Sequence, residues 1–250
     1  MKITFLSDTH TLHNEVSIEP CDIFCYCGDA TNIGGLVDWI SFFEWLRQVP
    51  ARHIVWIAGN HDKTLDKQLM LNTSDSVVRL INTQTYHDVR KLISELPRHI
   101  HYLENKNVTI EGINIYGTPV SPAFSHGWAF NRTRGEAIAK EWAKIPKNTN
   151  ILLTHSPPYA ILDYVEGRYK RFPDEDQHTG CEELLNRIKF SLPQLKISAF
   201  GHIHGNTGFV FKYVCQKRTV CFVNACLIEN GNRFLTRQPI TLDYKLLFKP

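Results

Sequence analysis

The feature that most constrains this chain occurs five times: a short, apolar, strand-like segment runs directly into a polar cluster. The apolar segments are residues 3–7, 22–27, 53–58, 151–154 and 196–200. The clusters after them are Asp8-Thr9-His10, Gly28-Asp29, Gly59-Asn60-His61-Asp62, His155 and Gly201-His202-Ile203-His204. In open α/β sheets, ligands bind at the carboxyl ends of the strands. The pattern therefore predicts an α/β fold in which the five clusters converge on one crevice.

The stretches between these segments complete the predicted order of elements. The spacing of apolar residues predicts helices over residues 36–47, 89–96, 135–145 and 181–192. Residues 108–111 and 113–116 flank a glycine as a hairpin does, and residues 208–214, 219–223 and 240–244 are strand-like. No repeat or long linker interrupts the order. We therefore expect a single domain over residues 1–250, with α/β material first and an all-β end.

Composition and charge narrow the class of protein. Hydrophobic residues make up 43% of the chain and charged residues 21%, which excludes a disordered or collagen-like protein. The net charge of +3 argues against a surface that binds nucleic acid as a whole. No apolar run approaches the roughly 18 residues of a membrane helix, and the N-terminus is typical of a strand, not of a signal peptide. Seven cysteines without a CxxC pair favour free thiols and a cytoplasmic protein.

The residue types of the five clusters are those of a metal site. Carboxylate, amide and imidazole groups are ligands of Mn, Fe, Zn and similar divalent ions. Two such ions about 3.5–4 Å apart can activate a shared water and hold both oxygens of a phosphoryl displacement. Each cluster alone has an ordinary explanation: Asn60-His61-Asp62 could cap a helix, and Gly28-Asp29 could form a turn. Five clusters, each at the end of a strand, indicate one site.

Taken together, the clusters resemble the five ordered motifs of the calcineurin-like metallophosphoesterase superfamily, over residues 8–204. Further segments resemble a narrower group, the small metallophosphoesterase-domain proteins that include class III cyclic-nucleotide phosphodiesterases. Those segments are residues 57–61, 115–119, 127–131, 153–158 and 180–185. The resemblance implies a four-layer fold, in which two mixed β-sheets form a sandwich flanked by α-helices.

The resemblance also implies a role for each residue of the clusters. One metal would be held by Asp8, His10 and His204, the other by Asn60, His155 and His202, and Asp29 would bridge them opposite a water or hydroxide that attacks phosphorus. His61 would stabilise the phosphate and protonate the leaving oxygen, and Asp62 would orient His61. The implied cofactors are two divalent ions. Manganese is expected, and Fe, Zn, Ni, Co or Mg also suit these donors.

The resemblance to the narrower group favours a small, cyclic nucleotide phosphodiester as substrate. The apolar pattern and the net charge add the expectation of no membrane and no stable nucleic-acid complex. Trp128 and Asn131 lie in a loop rich in glycine and aromatic residues, which is either a packing loop or a wall for the nucleobase. Arg168 lies in residues 164–178, which form either a solvated loop or a lid that offers cations to the phosphate. His13 is expected to be exposed and uninvolved.

Other functions stay open at this point. The same metal chemistry serves phosphomonoesterases, protein phosphatases and nucleases, so the substrate must separate these classes. A protein phosphatase would need a broad groove, and a nuclease would need added DNA-binding parts. The alternative from another class is a binding scaffold with inactive metal sites, although no ligand position is missing here. The sequence does not determine the oligomeric state.

Overall fold

The computed structural model describes residues 1–72, 74–165, 177–214, 218–229 and 234–248. The strands in these residues are β1 (Lys2–Leu6), β2 (Cys21–Cys27), β3 (Ala51–Ile57), β4 (Ile100–Tyr102), β5 (Lys106–Ile110), β6 (Ile113–Thr118), β7 (Ser121–Pro122), β8 (Asn131–Arg132), β9 (Ile151–Thr154), β10 (Ile197–Phe200), β11 (Gly208–Tyr213), β12 (Thr219–Asn224) and β13 (Ile240–Asp243). The α-helices are α1 (Leu36–Gln48), α2 (Lys67–Leu71), α3 (Ser76–Ser94), α4 (Glu136–Ala143), α5 (Glu182–Ser191) and α6 (Tyr244–Leu247).

The strands form two large mixed sheets. The first has the order β13-β1-β2-β3-β4, in which β1 to β4 are parallel and β13 is antiparallel to β1. The second has the order β11-β12-β10-β9-β6-β5, with four parallel strands in the middle and an antiparallel strand at each edge. Strands β7 and β8 form a small separate pair. Because the central strands are parallel, their carboxyl ends lie at one edge of each sheet.

The two sheets pack against each other through their apolar inner faces. Phe5, Cys25 and Val55 of the first sheet belong to the same buried cluster as Leu153 and Ala199 of the second. These side chains are fully buried. Full burial of one large apolar side chain stabilises the fold by about 1.5–3 kcal/mol, so this interface is a principal source of stability.

The outer faces of the sheets are covered by helices. Helix α1 packs Trp39 and Phe43 against Trp56, and Trp45 against Phe24, on the outside of the first sheet. Helices α4 and α5 contribute a second outer cluster on the second sheet; its members include Ile138, Trp142, Leu184, Ile188 and Phe222. The order of layers is therefore helix, sheet, sheet, helix. This confirms the fold class that the resemblance implied.

The strands that carry the five clusters agree with their predicted bounds within two residues, but one helix does not agree. The periodicity predicts a helix over residues 89–96, whereas α3 begins at Ser76. Asp75 caps it by accepting hydrogen bonds from the backbone N–H of Val77 and Val78. The apolar residues of its first half are exposed, so no buried stripe marks that half in the sequence.

Two further expectations are wrong. The described part of the chain ends in a short helix, α6, because Asp243 accepts a hydrogen bond from the N–H of Leu246 and caps it. His13 is buried, not exposed: its Nε2 lies 2.9 Å from Ser41 Oγ, and its ring packs against Phe42 and Trp45.

The six cysteines that the structure describes are buried and free. Among the described residues, no helix is long and apolar enough to cross a membrane.

Candidate active site

The five polar clusters meet at the carboxyl ends of the central strands. β1, β2 and β3 of the first sheet lead into Asp8, Asp29 and Asn60, and β9 and β10 of the second lead into His155 and His202. Parallel neighbours end level with one another because they are paired in register, for example Cys27 with Ile57. The sandwich therefore brings side chains from both sheets to one place, as the sequence predicts.

Several of these residues have a left-handed backbone, which is unusual for residues other than glycine. Asp8 has a φ of 57°, His10 of 43°, Asp29 of 57° and His202 of 67°. Such a conformation turns the chain sharply at the end of a strand and costs conformational energy. Backbone strain of this kind clusters at active sites and ligand clamps, where the surrounding structure holds it. The residues with this strained backbone are the same residues whose side chains converge.

Asp29 lies at the centre of the arrangement. Its Oδ1 accepts a hydrogen bond from the backbone N–H of His61 at 2.8 Å. Its Oδ2 lies 3.2 Å from His155 Nε2 and 3.8 Å from His10 Nε2. Burial alone would raise the pKa of Asp29, but the facing imidazoles, above all His155, outweigh burial and hold this pKa well below its usual range. Asp29 is therefore an ionised carboxylate that imidazoles face from two sides.

Asp8 is the second buried carboxylate of the site. The backbone N–H of His202 donates to both of its oxygens, at 3.1 and 3.0 Å, and His204 Nε2 lies 3.4 Å from Oδ1. Burial acts to raise the pKa of Asp8, but the His204 hydrogen bond and the charge of His155 lower it to about 2. Asp8 is thus a second anionic oxygen donor at physiological pH.

The donor atoms fall into three groups, and the ligand atoms within each group lie within 4.8 Å of one another. The groups are Asp8, His10 and His204; His10, Asp29 and His61; and Asp29, His155 and His202. Asp29 belongs to two of them. Asn60 extends the last group, because its Oδ1 lies 2.9 Å from His155 Nε2. The structure therefore brings together every residue that the resemblance implied as a metal ligand.

The hydrogen bonding of His155 fits a metal ligand. Its Nδ1 lies 2.9 Å from the carbonyl oxygen of Cys27, and a carbonyl has no proton to donate, so Nδ1 carries the proton. Its Nε2 then faces two oxygens, of Asn60 and of Asp29. Burial acts to lower the pKa of His155, but the charge of Asp29 outweighs it and raises the pKa to about 9. A positive charge is favourable between these three atoms, and either a proton or a bound cation supplies it.

Two other imidazoles are held neutral. Burial and the charge of His155 lower the pKa of His202 to about 3, and burial lowers the pKa of His10. Within the described part of the chain, the buried Nε2 of His10 has no hydrogen-bond partner. Metal ligation requires neutral imidazoles with an available lone pair. The donor set of this site therefore fits divalent metal ions.

The ring of His61 is oriented by a residue that the sequence analysis did not identify. His61 Nδ1 lies 2.7 Å from the backbone carbonyl oxygen of Asn32, which fixes the proton on that nitrogen. The predicted orienting residue, Asp62, has other partners: its carboxylate accepts from the backbone N–H of Thr31 and Gly59. The prediction for Asp62 is therefore wrong, because its carboxylate ties two loops together. A backbone carbonyl leaves no signal in the sequence, so Asn32 could not have been found there.

The predicted substrate residues lie in different places. The Trp128 ring lies 4.4 Å from the His61 ring. Lys63 Nζ lies 4.2 Å from the centroid of the Trp128 ring. Asn131 donates to the carbonyl of Ser125 at 3.2 Å and lines a separate cavity of about 380 Å³ that Trp128 also borders. Trp128 is thus beside the candidate site. Arg168 lies outside the described residues, so its role stays a prediction.

Comparison with known proteins identifies the family of this chain. Residues 1–206 match the family model of calcineurin-like phosphoesterases. The chain belongs to the calcineurin-like phosphoesterase family. A human relative, metallophosphoesterase domain-containing protein 1, is 34% identical over 244 residues, which cover 95% of this chain and 69% of the relative. A UPF0046 protein from Caenorhabditis elegans is 30% identical over 237 residues, which cover 95% of this chain and 73% of the relative.

A solved structure of an archaeal phosphodiesterase also overlays on this phosphoesterase. It covers 99% of this chain and 96% of its own, with a TM-score of 0.41 and 14% sequence identity. At that distance it carries no argument about the reaction. The family match makes this protein a hydrolase, a metallophosphoesterase, and the converging carboxylates and imidazoles are its candidate metal-binding residues.

Because the packing around Asp29 is close, this phosphoesterase should be sensitive to a larger residue at Gly59. A Cβ atom on Gly59 would lie 2.2 Å from Asp29 Oδ1, 2.5 Å from the Asp29 backbone N and 2.6 Å from His155 Cε1. We expect Gly59→Ala to lower the free energy of unfolding by about 1–3 kcal/mol through overpacking. It should also weaken metal retention, because Asp29 and His155 must move. Thermal unfolding and metal content after dialysis measure the two effects.

Gly35→Ala is the matched control for this variant. A Cβ atom on Gly35 would lie 3.1 Å from Asp38 Oδ2, the end of a flexible side chain. The Gly35 variant should therefore unfold close to the wild-type temperature and keep its metals. Equal unfolding temperatures and equal metal contents for the two variants would contradict the packing argument.

Proposed function

We propose that this phosphoesterase hydrolyses small nucleotide phosphodiesters, cyclic nucleotides among them, with the help of two divalent metal ions. The observation that carries the proposal is the position of Asp29, whose carboxylate lies near His10 of one proposed ligand set and His155 of the other. A carboxylate can bridge two cations, whereas an imidazole does not do so readily. Asp8, His10 and His204 would hold one ion, and Asn60, His155 and His202 the other. The carboxylate and amide oxygens of this donor set suit manganese, and the imidazoles also suit Fe, Zn, Ni or Co.

The residues around the metals would each contribute something different. When bound, two divalent ions supply a water of lowered pKa and positive charge beside the phosphoryl oxygens. Because the Asn32 carbonyl holds the proton on Nδ1 of His61, Nε2 is the ring nitrogen left for the reaction. Nε2 would give a proton to the leaving oxygen from the doubly protonated ring, which then keeps the proton on Nδ1. The Trp128 ring packs on His61 and limits its movement. In its doubly protonated form His61 would therefore be a proton donor of fixed orientation.

Among the described residues, the positive side chains beside the site favour a diester. Lys63 lies over the Trp128 ring, and Arg134 donates to the carbonyl oxygens of Thr179 and Gly180. Both of these cations are already engaged by protein groups. A phosphodiester carries one negative charge at neutral pH and a phosphomonoester nearly two, so the diester needs less compensating charge. This supports a phosphodiesterase over a phosphatase.

The space beside the site favours a small substrate. A cavity of about 340 Å³ borders the ligand His202, a size typical of small-molecule pockets. A protein phosphatase would need a broad groove for a polypeptide.

We also infer one domain over residues 1–250, because β13, near the end of the chain, pairs with β1 and completes the first sheet. No stable complex with nucleic acid and no membrane contact is part of the proposal.

The proposal is tested by comparing two chromogenic substrates. The metal-depleted protein is reloaded with Mn²⁺ and given bis-p-nitrophenyl phosphate, a diester, or p-nitrophenyl phosphate, a monoester. We expect kcat/KM to be at least tenfold higher on the diester and to disappear again on chelation. A preference for the monoester would identify a phosphatase instead. Turnover of neither substrate, in a protein that retains metal, would support the scaffold alternative.

A further inference from the structure

The cavity beside His202 is lined by side chains of different chemistry. Phe124 is 49% exposed, and its ring lies 5.2 Å from the His202 ring. His178, Thr179 and Ser156 also line the cavity. Aromatic surface, imidazole and hydroxyl-bearing residues thus surround the same volume of about 340 Å³. Such a cavity suits a ligand with an apolar face and polar groups on its edge.

His178 is held by a buried carboxylate outside the metal site. Its Nδ1 lies 2.7 Å from Asp163 Oδ1, and Asp163 has no exposed side-chain surface. The other oxygen of Asp163 accepts from the backbone N–H of Ala160 and of Gly180, each at 2.9 Å. These donors compensate the buried charge of the carboxylate. The His178 side chain keeps 39% of its surface exposed while lining the cavity.

The turn that carries His178 is fixed from both sides. Arg134 donates to the carbonyls of Thr179 and Gly180 at 2.6 and 2.7 Å, and Thr179 Oγ1 donates to the Asp163 carbonyl at 3.0 Å. A Cβ atom on Gly180 would lie 2.4 Å from the Pro158 carbonyl oxygen, so the turn packs directly on the loop after β9. Side chains on such rigid supports are suited to positioning a ligand.

Ser156 belongs to the lining of the same cavity as His178 and Phe124. It follows His155 and is buried, with 2% of its surface exposed. Its Oγ is itself buried and has no hydrogen-bond partner among the described residues. A buried hydroxyl without a partner costs free energy, so native proteins usually satisfy it with a water, an ion or another bound group. Ser156 therefore adds an unsatisfied polar residue to this lining.

We propose that this cavity binds the nucleoside of the phosphodiester, which stays joined to the phosphate through the ester bond that is not cleaved. The sugar hydroxyls meet His178 and Thr179, and the ring faces of the nucleoside pack on Phe124. His178 and Phe124 are thus the specificity-determining residues, and Asp163 is a positioning residue that acts through His178. This inference rests on the proposed diesterase function and names where its substrate is recognised.

The test uses two diesters that release the same p-nitrophenol. Bis-p-nitrophenyl phosphate has a second nitrophenyl arm, and thymidine 5′-(p-nitrophenyl phosphate) has a nucleoside arm. For His178→Ala and Phe124→Ala, we expect kcat/KM on the nucleoside ester to fall at least about fivefold more than on bis-p-nitrophenyl phosphate, the effect of losing one contact of about 1 kcal/mol. The change should lie in KM, because the contact does not involve the reacting atoms.

Matched controls are His87→Ala and Phe190→Ala, which remove exposed side chains from α3 and α5. Both variants should have the same kcat/KM as the wild type on each of the two substrates. Equal losses on the two substrates in the cavity variants would overturn the inference, as would a wild type that cleaves the nucleoside ester tenfold more slowly than the other diester. Failure of the wild type to cleave either diester would refute the proposed function itself. If His178→Ala unfolds, Phe124→Ala carries the test alone, because Phe124 is exposed.

Discussion

Replacing Asp29 by asparagine is expected to reduce diester hydrolysis by about 10³-fold or more, the largest single loss that we predict. The asparagine side chain is nearly the same shape but has lost the negative charge, and its NH₂ group cannot ligate a cation. In the wild type, Oδ2 lies near His155 and His10, and Oδ1 is held by the His61 N–H. The variant should therefore lose metal as well as rate. Its kcat on bis-p-nitrophenyl phosphate and its metal content after equilibrium dialysis are the measurements.

The control for Asp29 is Asp88→Asn on α3, where the carboxylate accepts a hydrogen bond from Gln84 on the helix surface. That variant should keep wild-type rate and metal content. Asp29→Asn with two metal ions and full activity would refute the bridging role. Two retained ions with a lost rate would also contradict it, since Asp29 would then act on the reaction without holding the metals.

The convergence of the five clusters could be predicted from the sequence because it depends on two simple features. Short apolar runs without polar interruption indicate strands buried on both faces, and such strands are parallel in most cases. Polar residues directly after them then lie at one edge. Asp8 and His155 are 147 positions apart. Each of them is nevertheless marked by a local pattern, because it directly follows the apolar segment of its own strand, β1 or β9.

The contacts between loops could not be predicted. The ring of His61 is oriented by the backbone carbonyl of Asn32, and every residue has such a carbonyl. Asp62 was expected to hold that ring, but it accepts hydrogen bonds from the N–H of Thr31 and Gly59. Whether a carboxylate faces a neighbouring side chain or the backbone of another loop depends on the tertiary fold.

The Asp163–His178 pair shows a second limit. The two residues are 15 positions apart in a stretch that has no periodicity, so nothing in the sequence connects them. They meet because residues 164 and 178 form an antiparallel bridge that places the two side chains together. The first half of α3 has no clear signal in the sequence for a related reason. Its exposed apolar residues do not form a stripe, and its cap at Asp75 is a single residue.

The loss of His61 tests the proton donor. We expect His61→Ala to keep both metal ions and to lose about 10²-fold in kcat, the usual contribution of a general acid. The loss should be smaller for esters of p-nitrophenol than for esters of a simple alcohol, because nitrophenolate leaves with little need of a proton. Metal content after dialysis, together with kcat on both kinds of ester, separates a proton donor from a ligand.

That separation matters because a ring nitrogen of His61 lies within 4.8 Å of an Asp29 oxygen and of a His10 nitrogen, in one group that could hold a metal ion. If His61→Ala loses a metal ion, His61 is a ligand and the assignment of the donors changes. A loss in kcat of less than threefold, with both metals present, would remove it from the reaction. An equal loss on both kinds of ester would mean that His61 stabilises the charge on the phosphate and does not protonate the leaving oxygen. His87→Ala, on the surface of α3, should leave metal content and both rates unchanged.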